Sequence, residues 1–364
     1  MKNGYDDFSS WRVKKGFKVE KFIGGLSLPV NICFAPQIYK NDDPSFIYVN
    51  ELYGNVKVIT KNNNIKILAE NLLNYKPNYQ FPGTGESGLI GITADQKSGD
   101  IFVSLIYEKN GMVFNKVINI KTEDGLSASK YETIMDGISS IKAAHQIQAL
   151  TIGPDNKLYV NLGDGMESKS PQNDNDLRGK VLRMNLDGSI PDDNPWPNRY
   201  VYAKGFRNPF GADWRNSDGH LYVSDNGPAF DDRLVKVEAG KNYGWPKSMR
   251  TGAIHIWERT EAPTGIAFMQ GNQFPNEYSD HLFVALFGKA WHLGITDKGK
   301  KIIEFILDSN GKVLSHGLFM EYIGEGPASV AGLAFGPDGL YFSDLHGEDP
   351  KNKHAGNIYR ITTS

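Results

Sequence analysis

The chain is written in short apolar runs broken by polar turns, and apolar residues almost nowhere recur at helical spacing. Six runs share one design, a strand led or centred by an aromatic ring. They are 46–50 (FIYVN), 100–104 (DIFVS), 157–161 (KLYVN), 220–224 (HLYVS), 281–285 (HLFVA) and 340–344 (LYFSD). Marked at Tyr48, Phe102, Tyr159, Tyr222, Phe283 and Tyr341, the spacings are 54, 57, 63, 61 and 58 residues. Several copies have a turn just upstream (GPDNK, NSDGH, GPDG), and most are followed by a second strand (NVKVIT, KVINIKT, KVLRMNL, RLVKVEA, NIYRITT). Each unit reads as a small antiparallel meander with Asp-Gly or Asp-Asn turns. One such unit cannot bury both faces, whereas a ring of units stacked face to face can. The pattern predicts an all-β fold, a six-bladed β-propeller of four-stranded antiparallel blades, as a single domain over residues 1–364. FKVEKFI (17–23) precedes the first unit and NIYRITT (357–363) ends the last. The N-terminal strand is therefore expected to complete the final blade, with closure from the C-terminal side as the alternative.

Composition narrows the function. A net charge of -2 argues against nucleic acid as a partner, because phosphate binding needs a basic patch. The single cysteine, Cys33, excludes an intrachain disulfide and a cysteine-based zinc site. No run of about 18 apolar residues is present to span a membrane as a helix. The first residues, MKNGYDDFSSWRVKKGF, contain no apolar signal core, so the expectation is a cytoplasmic protein or a periplasmic or secreted one given without its signal. Oligomeric state is not legible.

The densest chemistry lies in 202–246, where GFRNPFG, SDNGP and NYGWP crowd around two short strands. Turns of this kind aim carbonyl oxygens and side chains at one place. In a propeller, segments at the same point of each repeat meet near the axis. GTGESGLIG (83–91), AAHQIQALTIGPD (143–155), GFRNPFG (205–211), EAPTGIAF (261–268) and PASVAGLAFGPDG (327–339) all precede marker strands. This predicts that Glu86, His145 and Arg207 converge. A histidine, a carboxylate and an arginine together make an acid–base site. A lone histidine is by default a packed or surface residue; the repeat position of His145 sets it apart.

AHQIQALTIGPDNKLYVNLGDG, RGKVLRMNLDGSIPDDNP, GFRNPFG, SDNGP and NYGWP, with GESGLIGITAD and GPDGLYFSD, resemble the soluble quinoprotein sugar dehydrogenases, the glucose/sorbosone dehydrogenase family. The resemblance runs from about residue 16 to the C-terminus. It implies a six-bladed propeller that binds pyrroloquinoline quinone (PQQ) with Ca2+ and oxidises aldose sugars or related alcohols, passing electrons to an external acceptor. By the resemblance, His145 is the general base and Arg207 stabilises charge on the quinone, while Glu86 matches a position that is Gln in some members. Asn208 contacts the cofactor, the carbonyls of Gly227 and Pro228 bind the calcium, and Lys289 pairs with the cofactor. Trp257 falls near a substrate-facing tryptophan.

Three departures bear on these roles. An R-x-R that grips PQQ carboxylates is replaced by Ser329 and Ala331. The residue before the base, often Asp, is Ala144, which leaves Glu86 to orient the ring. Asp232 is followed by Arg233 where a calcium-binding Glu is usual. Two other segments, NDNDLRG (173–179) and DGSIPDDNP (187–195), read as Asx turns rather than calcium loops. Tyr243 and Trp245 are expected to pack between blades. Two rival functions stand beside the dehydrogenase: a metal-assisted lyase or hydrolase using His145 and Glu86, and a non-catalytic propeller binding carbohydrate or protein.

Overall fold

The computed structural model describes residues 4–75, 86–140, 144–288, 299–349, 351–352 and 354–364. They form six antiparallel sheets arranged as a six-bladed propeller. The inner strands of blades one to six are Pro29–Phe34, Leu89–Ala94, Ile147–Ile152, Pro209–Arg215, Pro263–Phe268 and Val330–Phe335. Each packs on the next, and the sixth packs on the first, so they enclose an axial channel. The marker runs are the second strands: Ser45–Glu51, Ile101–Lys109, Leu158–Leu162, His220–Asp225, Leu282–Leu286 and Leu340–Asp344. Helix among the described residues amounts to two 3-10 turns, Ser170–Gln172 and Asn276–Tyr278.

The aromatic markers explain why the repeat is needed. Tyr48, Phe102, Tyr159, Tyr222, Phe283 and Tyr341 are all buried, and each belongs to a different apolar cluster. The core is thus a set of layers between blades. Three of the tyrosine hydroxyls donate to the aspartate of the upstream turn: Tyr159 to Asp155, Tyr222 to Asp218 and Tyr341 to Asp338. The turn acid and the core ring are one device.

A second device joins neighbours. Every inner strand is bulged near its start. The polar residue near the end of a second strand donates to the bulge of the next blade. Asn50 bonds the Leu89 carbonyl at 2.6 Å, Ser104 that of Gln148 at 2.6 Å, Asn161 that of Gly211 at 3.3 Å, Ser224 that of Thr264 at 2.7 Å and Ser343 that of Val30 at 2.8 Å. Blade five has Ala285 at that position, and Thr264 Oγ1 reaches the Val330 carbonyl at 3.3 Å instead. At this waist the strands approach so closely that a Cβ on Gly211 would stand 2.0 Å from the Thr264 carbonyl oxygen.

The ring closes as expected. Phe17–Leu26 is the outer strand of blade six, antiparallel to Gly356–Thr363. The hairpin Tyr5–Phe8 and Trp11–Lys14 extends blade five to six strands, which the sequence reading did not foresee.

Candidate functional site

The loops that enter the inner strands gather at one mouth of the channel, and those of blades one, four, five and six are each tied down by a buried carboxylate. Glu51 accepts from Ser27 N, Asp225 from Arg207 N and Asn208 N, Asp232 from Glu261 N and Ala262 N, and Asp344 from Ser329 N. These acids are at most 2% exposed. A carboxylate is an acceptor with several lone pairs, suited to loop amides that no strand partner satisfies.

Glu86, His145 and Arg207 are brought together. Glu86 Oε2 accepts from the backbone N of His145 and from Asn208 Nδ2, both at 3.1 Å. His145 has φ 52°, a left-handed conformation uncommon for a side-chain-bearing residue. Gly163 passes against it, where a Cβ would lie 2.3 Å from the His145 carbonyl oxygen. The imidazole Nδ1 is 2.7 Å from Asp164 Oδ1. Asp164 also accepts from Met166 N at 2.9 Å and, through Oδ2, from the indole N–H of Trp245 at 2.8 Å. Burial pushes the Asp164 carboxyl up, but the bonds from His145, Trp245 and Met166 outweigh it and hold it below the usual range. The Arg207 guanidinium lies over the Trp245 ring at 5.7 Å, and its Nη1 donates to the carbonyls of Asn226 at 3.0 Å and Gly227 at 2.7 Å.

Several expectations are corrected here. Glu86 does not orient the imidazole: it holds the backbone, and Asp164 holds the ring. Trp245 is not merely packing, whereas Tyr243 is fully buried as expected. Trp257 faces the core between blades four and five, against His255 and Phe305, and not the site. Asp232 is committed to the amides of Gly227, Glu261 and Ala262. Arg233 is fully buried, paired with Asp225 at 2.7 Å and bonded to the carbonyls of Gly205, Tyr243, Met249 and Thr251. Its guanidinium thus gathers the oxygen atoms that a second cation would need. Segment 173–179 forms Asx and Asp–Arg contacts, as read. Lys289 lies outside the described residues.

Asp164 was missed, although a signal was present. Other marker strands end in an acid, as in SD (224–225), SD (343–344) and NE (50–51), and NLGD (161–164) places one two residues later.

A cavity of about 120 Å3 opens beside this network, lined by Glu86, Arg207, Asn208, Gly227, Pro228 and Asp232 on one side. His145 stands one hydrogen bond behind Glu86. The larger cavity, about 740 Å3, is the opposite, wide mouth of the channel and contains none of the candidate residues. For a PQQ–calcium pair the donor set is mixed. Arg207 and Asn208 suit a quinone oxygen. Ser329 and Ala331 are buried and offer no charge to a carboxylate. Gly227 carbonyl already accepts from Arg207. The described residues fit the quinone edge and not the carboxylates or the calcium.

The model of the glucose/sorbosone dehydrogenase family matches residues 34–313. Quinoprotein glucose dehydrogenase B of Acinetobacter calcoaceticus is 33% identical over 196 residues, covering 44% of this chain and 40% of that protein. An aldose sugar dehydrogenase of Escherichia coli is 25% identical over 211 residues, 51% of this chain and 53% of its own. The chain thus spans about half the length of these curated relatives. A PQQ-bound aldose sugar dehydrogenase from Streptomyces coelicolor superposes with a TM-score of 0.72 at 22% identity, covering 97% of this chain and all of that one, a likeness of fold.

Proposed function

Because the chain belongs to the glucose/sorbosone dehydrogenase family, we propose that it oxidises a carbinol of an aldose or related alcohol, with His145 as general base. The observation that supports this most is the 2.7 Å contact of His145 Nδ1 with Asp164. A carboxylate can only accept, so Nδ1 carries the proton and Nε2 presents its lone pair. Nε2 takes the hydroxyl proton as the carbinol C–H leaves as hydride. Asp164 then stabilises the imidazolium, and its bonds to Trp245 and Met166 mean that it need not move. Arg207 places positive charge where the electron pair arrives. Asn208, fixed by Glu86 and by Gln148 at 3.2 Å, offers a second polar contact. PQQ would supply a two-electron acceptor when bound; the described residues offer its quinone edge Arg207 and Asn208 and do not fit its carboxylates or a calcium ion. An external acceptor would then drain the electrons.

The test is aldose-dependent reduction of an added quinone. His145→Ala should lower turnover about 10²–10⁴-fold while leaving quinone binding intact. Near-wild-type turnover would remove His145 from the mechanism.

A further inference from the structure

The pocket beside Arg207 has a character that the reaction above leaves unassigned. Blades one, two and six present Val30, Leu52, Ile90, Ala331 and Leu345, and blade five adds Phe287. Among the described lining residues Arg207 is the one cation, and it shares the polar edge with Glu86 and Asp232. Among the described residues the edge therefore carries no surplus of positive charge, even though burial pushes the Asp232 carboxyl up to about 6. Among the described residues a tricarboxylate would meet one guanidinium, two acids, the neutral side chains of Asn208, Asn226, Thr260 and Thr264 and otherwise apolar walls, and unpaired buried charge is costly. Nucleotide cofactors meet the same obstacle through their phosphates. A divalent cation on the Gly227 carbonyl would stand against the guanidinium that is already 2.7 Å from that oxygen. A ring with carbonyl oxygens at its edge and an apolar body has neither problem. A cavity of roughly 150 Å3 takes a benzene ring, and this open pocket of about 120 Å3 is on the scale of one ring at most, which leaves the remainder of a larger ligand outside.

We infer that this pocket takes a carboxylate-free quinone as the two-electron acceptor, with one carbonyl oxygen on Arg207 and without calcium. The inference rests on the dehydrogenase reading above. The carbinol C–H bond breaks and its electron pair passes with the hydrogen to a quinone oxygen. The hydroxyl proton goes to His145 Nε2 and from there to the other quinone oxygen. The carbinol is oxidised to a carbonyl and the quinone leaves as the hydroquinone.

The experiment is calorimetric titration of the full chain, without sugar, using menadione in EDTA and PQQ with excess calcium. Menadione should saturate one site, bind about tenfold or more tighter than PQQ, and be indifferent to EDTA. Arg207→Gln should weaken menadione about tenfold. Ala331→Arg, which adds a cation to the apolar wall, should reverse the order in favour of PQQ, and it serves if the first variant does not fold. Tighter binding of PQQ than of menadione by the wild type, or no menadione binding, overturns the inference. Sugar turnover separates it from the reading it rests on. If PQQ is preferred and His145→Ala still stops sugar oxidation, the pocket assignment falls and the dehydrogenase stands. If menadione binds as expected but neither quinone supports sugar oxidation, the acceptor role falls with the dehydrogenase reading.

Discussion

At the scale of single residues the site is a matter of who holds His145. Its left-handed backbone costs on the order of 1–3 kcal/mol and persists only because neighbours fix it. Glu86 takes the amide N–H, and Asp164 takes the ring. The Asp164 carboxylate faces donors at both oxygens, the imidazole and Met166 N at Oδ1 and the Trp245 indole at Oδ2. An asparagine there must turn its NH2 toward one of these donors. In either orientation Asp164→Asn also removes the negative charge behind the imidazolium, and it is therefore expected to cut kcat by roughly a hundredfold or more. Trp245→Phe leaves the imidazole contact in place and should cost less than about tenfold, since one hydrogen bond contributes about 1 kcal/mol. Equal losses in the two variants, measured by quinone reduction, would mean that Asp164 does not act through the ring. The convergence of Glu86, His145 and Arg207 was legible from repeat position alone. The partner of the ring was not, because Asp164 follows its strand by two residues where other blades place the acid at the strand end.

At the scale of elements, the buried carboxylates act as pins for the loops of the mouth. Asp344 shows what such a pin does to pH dependence. Burial pushes its carboxyl up to about 6, from 3.8, although the amides of Ser329, Gly347 and His346 and the side chain of Asn357 pull the other way. The folded state thus keeps this proton to higher pH than the unfolded chain does. The resulting stabilisation is complete below about pH 4 and is lost as pH rises through about 6, a change of about 3 kcal/mol for two pKa units. The stability of wild type relative to Asp344→Asn should fall over that window and stay level above it, as read from urea unfolding at each pH. A difference that grows in favour of the wild type with rising pH would contradict this. The strings FIYVN, DIFVS, KLYVN, HLYVS and LYFS spelled out the blade count through their rings. Their Asn and Ser residues also spelled out the blade-to-blade latch, but a side-chain bond to a carbonyl in another repeat has no local signature in the sequence. The hairpin 5–14 was hidden for a similar reason: its partner strand, Val313–Tyr322, is remote in the chain.

At the scale of the molecule, stability lies in the layers between blades, so the joints decide it. Trp11 shows how the extra hairpin strengthens one of them. It is 1% exposed, with its ring against Tyr322 of blade five and against Phe342 and Tyr359 of blade six. Trp11→Ala should cost about 3–5 kcal/mol, seen as a lower urea midpoint with the site chemistry unchanged. A loss below about 1 kcal/mol would mean that the hairpin is a surface addition. The strand pair Phe17–Leu26 with Gly356–Thr363 carries a different consequence, one of time. During synthesis the first of these strands, with Val19, Phe22 and Ile23, emerges long before its partner. Contacts this distant form slowly, and an unpaired edge invites strangers. Until Gly356–Thr363 has been made the nascent chain therefore presents an open β edge that only this strand covers, and the ring cannot close before then.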